Sequence, residues 1–371
     1  MKLQFLLFVL PFLALIAFVS LFIFKIFIVF GILKAPIAQK IVKWVFILMP
    51  LVLIATMTIG TKIYNSINAF FYVIAATWLP LLIYFFMGAV LLSIIYIIGV
   101  VSGHPINVFP LAITILIIIF GVTGYGIWNA TKPRVVTYEI ESPALSKAWS
   151  NKNIVLVSDT HLGIVRSEGF MQKIVKKINE QNPDLVLIAG DIIDGPVFDY
   201  KHGLSPLRNI QSTFGTVYTP GNHEAYNMEP EKFYPVVKEL TKTLIDESVE
   251  INSTKIIGLS FKNESFEDTR KRLVKIGFDS VQTSMPTIAL LHDPKNTKAL
   301  LDAGVSLVVS GHTHCGQFFP MTLVVKSIYK EYTYGVHTRN GGTAITTCGA
   351  GTAMSPLRLG TNPEIVVIHI K

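Results

Sequence analysis

Cysteine is nearly absent from this 371-residue chain: Cys315 and Cys348 are its only two, and no CxxC pair occurs. That scarcity excludes a disulfide framework and a thiolate metal cluster as organising principles, and Cys315 is expected to be a small packing residue. Charge is also scarce, at 15% Asp, Glu, Lys and Arg, and there is no dense basic run. The formal charge of +8 therefore does not point to nucleic acid. It suits anionic lipid headgroups or phosphorylated substrates better. Internal repeats and low-complexity tracts are absent too, which leaves an ordinary domain organisation.

The chain's excess is apolar sequence, unevenly spread. Residues 1–128 are dominated by Leu, Ile, Phe and Val, whereas 133–371 read as a soluble protein. Four runs are long enough to cross a bilayer as helices: about Phe5–Ile32, Trp44–Ile59, Phe70–Val101 and Phe109–Trp128. The third has length to spare, and Pro80 is a candidate kink. Lys25 interrupts the first and is expected to snorkel to a membrane face. The opening stretch is too long for a cleaved signal peptide. The expected organisation is a multi-pass cell-membrane region over 1–128, a linker with an edge strand over 129–150, and a catalytic domain over 151–371. Four spans put the N-terminus and that domain on one side. Lys and Arg near the span ends divide three against four, so charge does not orient the chain.

Beyond the spans the pattern alternates. Strands are expected at Val135–Ile140, Ile154–Val157, Leu185–Ala189, Ile256–Ser260, Thr287–Leu291 and Val305–Val309. Helices are expected at Ser167–Asn179, Pro230–Leu244, Glu267–Ile276 and Leu300–Ala303, and 323–369 reads as short strands with Gly-rich turns. That is an α/β domain with a sheet core covered by helices. In such sheets ligands collect at strand carboxyl ends.

Chemistry-bearing residues gather at those ends. Asp159 and His161 follow the Ile154–Val157 run, and Asp191 and Asp194 follow Leu185–Ala189. Asn222 and His223 come after Tyr218-Thr219-Pro220-Gly221, His292 after Thr287–Leu291, and His312 and His314 after Val305–Val309. In an extended segment, residues two apart point to one side, so Asp159 and His161 can reach one ion, and the two-apart spacing recurs at His312 and His314. Asp191 has two oxygens that can bridge two cations. Mixed N and O ligands suit Mn, Fe, Zn or Co better than Mg alone. Two such ions can activate water and stabilise the leaving oxygen of an in-line displacement, chemistry that phosphate esters require.

As a set, the segments DTH at 159–161, GDIID at 190–194, GNHE at 221–224, His292 and GHTH at 311–314 resemble the calcineurin-like metallophosphoesterase superfamily over about residues 150–371. The resemblance implies a two-sheet β sandwich flanked by helices. It implies one ion on Asp159, His161, Asp191 and His314, and a second on Asp191, Asn222, His292 and His312. It further implies that His223 protonates the leaving oxygen, that Asp194 orients the His223 ring, and that Glu224 helps position its loop. Gly195-Pro196 stands where protein Ser/Thr phosphatases carry an Arg-Gly pair, which removes that subfamily's phosphate anchor. The GHTHCGQ segment, the Gly-rich tail from Cys348 to Ile365 and the four spans are similar to membrane-associated bacterial phosphoesterases of YkuE and YaeI type, although Cys315 replaces the commoner Gly. Arg358, in that tail, is a candidate phosphate contact, and Arg166 is expected to be a solvated side chain.

The expected activity is a membrane-anchored, dinuclear, metal-dependent hydrolysis of phosphodiester or pyrophosphate bonds; a site tethered at a bilayer gains effective concentration for a lipid-linked phosphoester there, and a broad-specificity phosphodiesterase is equally open. A phosphomonoesterase is the competing enzyme. A catalytically silent membrane sensor or scaffold is the competing non-enzyme, and it conflicts with all seven ligand positions and His223 being filled.

Overall fold

The computed structural model describes residues 2–59, 66–194, 199–226, 229–278 and 285–371, so Gly195 and Pro196 lie outside the described residues. The chain divides into two compact units at Ile127/Trp128.

The first unit contains α1 (Lys2–Val29), α2 (Pro36–Ile59), α3 (Ser66–Val101) and α4 (Phe109–Asn129). All four are long and apolar enough to cross a membrane. They are apolar all round, and pack through large side chains such as Phe46 on Trp78 and Phe27 on Phe85. Helix α3 runs on through Pro80. Gly88 lets it approach α4, since a Cβ there would meet Ile115 at 2.8 Å. Lys25 is exposed on α1, one turn before the helix ends.

Among the described residues, the second unit has fourteen strands. In chain order these are β1 (Arg134–Ile140), β2 (Asn153–Val157), β3 (Leu162–Gly163), β4 (Leu185–Ala189), β5 (Ile193–Asp194), β6 (Thr216–Thr219) and β7 (Lys242–Thr243). They continue with β8 (Glu247–Ile251), β9 (Thr254–Leu259), β10 (Thr287–Leu291), β11 (Leu307–Ser310), β12 (Gly335–Arg339), β13 (Gly342–Thr346) and β14 (Glu364–Ile370). One six-stranded sheet has the order β1-β14-β2-β4-β6-β7, and the other β12-β13-β11-β10-β9-β8. Strands β2, β4 and β6 are mutually parallel, as are β10 and β11. Their carboxyl ends carry the polar segments.

Strand alternation builds a sandwich. Ile154 and Leu156, Leu185 and Leu187, Ile288 and Leu290, and Leu307 and Val309 all face the interior between the sheets. Their neighbours Val155, Val157, Val186 and Ile188 turn the other way, onto α6 (Glu168–Asn179) and the helix Pro230–Leu240. Ala289, Leu291 and Val308 meet Leu273, Leu300 and Leu301 on the far face of the second sheet. Because both faces of these strands are covered, they read as unbroken apolar runs. The architecture is the expected two-sheet α/β sandwich flanked by helices.

Several expectations need correction. Residues 323–329, within the stretch expected as short strands, lie in a helix (Met321–Tyr329) with no buried residue. Its β-branched content suggested strand, but its apolar positions lie along one helical face. The stretch 129–150 carries its edge strand, as β1, and in addition the short helix α5 (Pro143–Trp149), whose Trp149 is fully buried against the inter-sheet core. The Pro230 helix stops at Leu240 because Lys242-Thr243 pairs with β6. Cys315 and Cys348 are joined as a disulfide with Cα atoms 5.0 Å apart, inside the range a bridge spans. Their separation of 33 residues hid that proximity.

Candidate metal centre

Five strand ends deliver the site. After β2, Asp159 and His161 both take left-handed backbone angles (φ 55° and 48°), as do Asp191 (51°), His312 (68°) and His314 (46°). Asp159 and His161 therefore converge through tight turns and not through extended backbone, whereas His312 and His314, also two apart, go to different donor groups. Left-handed non-glycine residues are costly and persist where the surroundings hold them, as functional sites do. Close approach is also needed. A Cβ on Gly221 would meet Asp191 Oδ1 at 2.2 Å, and one on Gly311 would meet Asp159 Oδ2 at 2.4 Å.

The turns bring the donors together. His161 Nε2 lies 3.0 Å from His314 Nε2, and His314 Nε2 lies 3.4 Å from Asp159 Oδ1. His292 Nε2 lies 3.1 Å from Asp191 Oδ2 and 3.1 Å from His312 Nδ1. Two groups thus form, Asp159 with His161 and His314, and Asp191 with His292 and His312, each with its donor atoms within 4.8 Å of one another. Asp191 Oδ2 is also 3.7 Å from His161 Nε2, which puts this carboxylate between the groups.

Each carboxylate is anchored through one oxygen and leaves the other for the site. The His312 backbone N–H donates to Asp159 Oδ2 at 3.0 Å, and that of His223 to Asp191 Oδ1 at 2.9 Å. Asp159 Oδ1 and Asn222 Oδ1 are buried without a hydrogen-bond partner. Buried polar atoms are rarely orphaned, and a bound ion is one of the few explanations. The His292 Nδ1–H donates to Ala189 O at 2.7 Å, which aims Nε2 into the site, as a ligating imidazole requires. Carboxylate, amide oxygen and imidazole donors fit a borderline divalent cation.

Electrostatics follow the same geometry. Burial would raise Asp159, but His314, His292 and His161 hold it well below the carboxylate range; His292 and His161 do the same for Asp191. Burial disfavours charge on His292, yet Asp191 and Asp159 raise it to about 10. His314 is lowered well below the usual range, chiefly by burial. A third group lies at the solvent edge: His223 Nδ1 is 3.1 Å from Asp194 Oδ1, both side chains are partly exposed, and the His223 ring packs edge-on against His161. Burial opposes charge on His223, but the Asp194 hydrogen bond and Asp191 outweigh it and raise the imidazole to about 9.

Residues 152–316 match the calcineurin-like phosphoesterase family. This segment is a calcineurin-like phosphoesterase domain. A Helicobacter pylori metallophosphoesterase is 36% identical over 234 residues, 61% of each chain. A Danio rerio transmembrane protein with a metallophosphoesterase domain is 30% identical over 272 residues, 67% of this chain and 60% of that one. Bacillus subtilis YkuE is 28% identical over 265 residues, 67% of this chain and 90% of that one. The chain thus spans less than two thirds of the Helicobacter and Danio relatives.

Within the phosphoesterase domain, two buried charges brace the site. Glu224 accepts backbone N–H bonds from Asp191 (2.9 Å), Ile192 (2.8 Å), Ile193 (3.2 Å) and Gly221 (2.8 Å), tying the two metal-facing turns of the first sheet together. Burial and Asp191 raise its carboxyl, and those N–H donors oppose the shift. The sequence motif flagged Glu224; its four donors become visible only in the fold.

Arg358 does not face a substrate. It is fully buried, and its guanidinium donates to Gly351 O (2.7 Å), Cys348 O (2.6 Å) and His314 O (3.2 Å), with Nη2 3.1 Å from His314 Nδ1. The expectation of phosphate contact is thereby corrected: its donors hold the His314 turn instead. Arg166 is corrected as well. It is buried, donates to Ala130 O at 2.7 Å and lies over the Phe170 ring, so it is not solvated.

Proposed function

We propose that this domain is a dinuclear metal-dependent hydrolase of phosphodiester or pyrophosphate bonds, held at a cell membrane by a multi-pass anchor and acting on a lipid-linked phosphoester. The observation that carries it is Asp191, a buried carboxylate between two donor groups. Asp159, His161, Asp191 and His314 would hold one cation, and Asp191, Asn222, His292 and His312 the other, with Mn, Fe or Zn as candidates. Bound there, the cations supply Lewis-acid charge to the phosphoryl oxygens and activate the attacking water. The protein supplies the proton. The Asp194 contact at Nδ1 and the imidazole raised to about 9 support the His223 ring as the acid that would protonate the leaving oxygen from Nε2 as the P–O bond breaks.

The lipid reading rests on the surface beside His312. Tyr329, on the helix Met321–Tyr329, packs 5.9 Å from the His312 ring, and Phe261 lies 6.2 Å from it on another side. The same helix exposes Leu323 (60%), Val324 and Ile328 (63%), exposed apolar surface suited to acyl chains. The test is hydrolysis by the full-length protein in detergent, metal-stripped and then resupplied with Mn. Bis-p-nitrophenyl phosphate should be cleaved in preference to p-nitrophenyl phosphate. Monoester preference would replace this reading with a phosphatase, and Leu323→Gln/Ile328→Gln should slow a lipid-linked diester while sparing the soluble one.

A further inference from the structure

The amphipathic helix α6 buries Phe170, Met171, Ile174, Val175 and Ile178 and turns Lys173, Lys176 and Lys177 outward. Opposite those lysines runs the segment Trp128–Arg134, which continues directly from α4. Between them lies a groove of about 530 Å³. Lys132 and Arg134 line its other wall, so five cations face it against one carboxylate, Glu180. Among the described residues none of these five cations has an ion-pair partner. All of this belongs to the phosphoesterase unit.

The segment wall is built in place. Asn129 Nδ2 donates to Thr361 O at 2.9 Å and to Arg358 O at 3.2 Å, and Arg166 holds Ala130 O. Asn129 also lines the groove and is buried, and its Oδ1 has no hydrogen-bond partner. Chain connectivity fixes the setting: Trp128 and Asn129 are the last two residues of an apolar membrane-length helix. With α4 read as a membrane span, the groove's first two residues are the last two of that span. Trp128 is 54% exposed there. A tryptophan with several cations at a span end is the composition the headgroup layer favours, and each cation near an anionic surface adds to the attraction.

We propose that this groove binds the headgroup of an anionic glycerophospholipid, with the phosphate among Lys132, Arg134, Lys173, Lys176 and Lys177. Phosphatidylglycerol, an anionic glycerophospholipid, is the probe. The site lies apart from the metal-binding residues and is separate from the hydrolysed bond.

The experiment uses the full-length protein in nanodiscs of equal parts phosphatidylcholine and phosphatidylglycerol, with retained lipids counted by native mass spectrometry. Phosphatidylglycerol should be retained over phosphatidylcholine. The variant Lys173→Gln/Lys176→Gln/Lys177→Gln should weaken that retention at least about tenfold, the direction expected on removing three cations near an anionic surface. Hydrolysis of a soluble diester should be unchanged, which shows that the variant is folded. Lys176→Glu serves as a milder second variant and should shift retention the same way. Equal retention of both lipids, or unchanged retention in both variants, would overturn the proposal. So would displacement of the lipid by inorganic phosphate, which would make this a site for soluble phosphate.

Discussion

The two sheets brace their halves of the metal centre in opposite ways. On the first, the turns after β4 and β6 present backbone N–H groups inward, and one buried anion, Glu224, collects four of them. On the second, the turn at His314 and the Cys348–Gly351 segment present carbonyls inward, and one buried cation, Arg358, collects those. The disulfide between Cys315 and Cys348 joins the same pair of segments. The lesson concerns polarity. Turns that expose orphan donors need a buried acceptor, turns that expose orphan acceptors need a buried donor, and a charged group meets several at once. Neither brace points at the substrate, yet each sets the position of a ligand.

The largest effect is expected where the halves meet. Asp191→Asn removes the charge both cations would share, so metal-dependent hydrolysis should fall to background and bound metal should drop on elemental analysis. Retained activity would sink the two-ion arrangement. Next is the proton donor, which belongs to neither brace. His223→Asn should cost roughly 10²- to 10⁴-fold in turnover of substrates with poor leaving groups while leaving metal content intact. Equal losses for good leaving groups would count against its role as acid. Its pH signature has a definite sign: the raised imidazole, about 9, keeps the acid form present below that value and loses it above. Asp194→Asn removes the hydrogen bond that raises it, so the alkaline limb of kcat/KM should move to lower pH.

The braces themselves should separate by location. Glu224→Gln and Arg358→Lys should each cost about 10- to 100-fold in metal affinity or activity, as removal of a ligand's support typically does. Calorimetric titration should show the Glu224 variant weakening the position that uses Asn222, and the Arg358 variant the one that uses His314. Loss of the same position in both would erase the distinction. The smallest catalytic effect is expected from Cys315→Ser/Cys348→Ser. Removing the bridge should lower stability by about 2–4 kcal/mol, read as a lower Tm, with Arg358 still holding the His314 turn.

Much of this was legible in the residues. Strands β4 and β10 coincide with their apolar runs, and α6 lies within one residue of its expected start, because period and length carry that information locally. The candidate ligands are also readable, since each follows such a run. Other features were not. An arginine in a Gly-rich tail looks the same whether its guanidinium meets phosphate, solvent or the buried carbonyls that Arg358 holds. Residues 323–329 read as strand because nothing buried pins the pattern of the helix Met321–Tyr329.

The amino-acid sequence alone determined the membrane-length helices, the two-faced strands and the set of metal-competent side chains, all of which follow from local periodicity and residue chemistry. The tertiary structure decided which oxygens and nitrogens are left without partners, which charges brace turns, and that two cysteines 33 residues apart meet. Those outcomes depend on how backbone donors and acceptors from distant strand ends are satisfied in one buried place, and no local pattern encodes that.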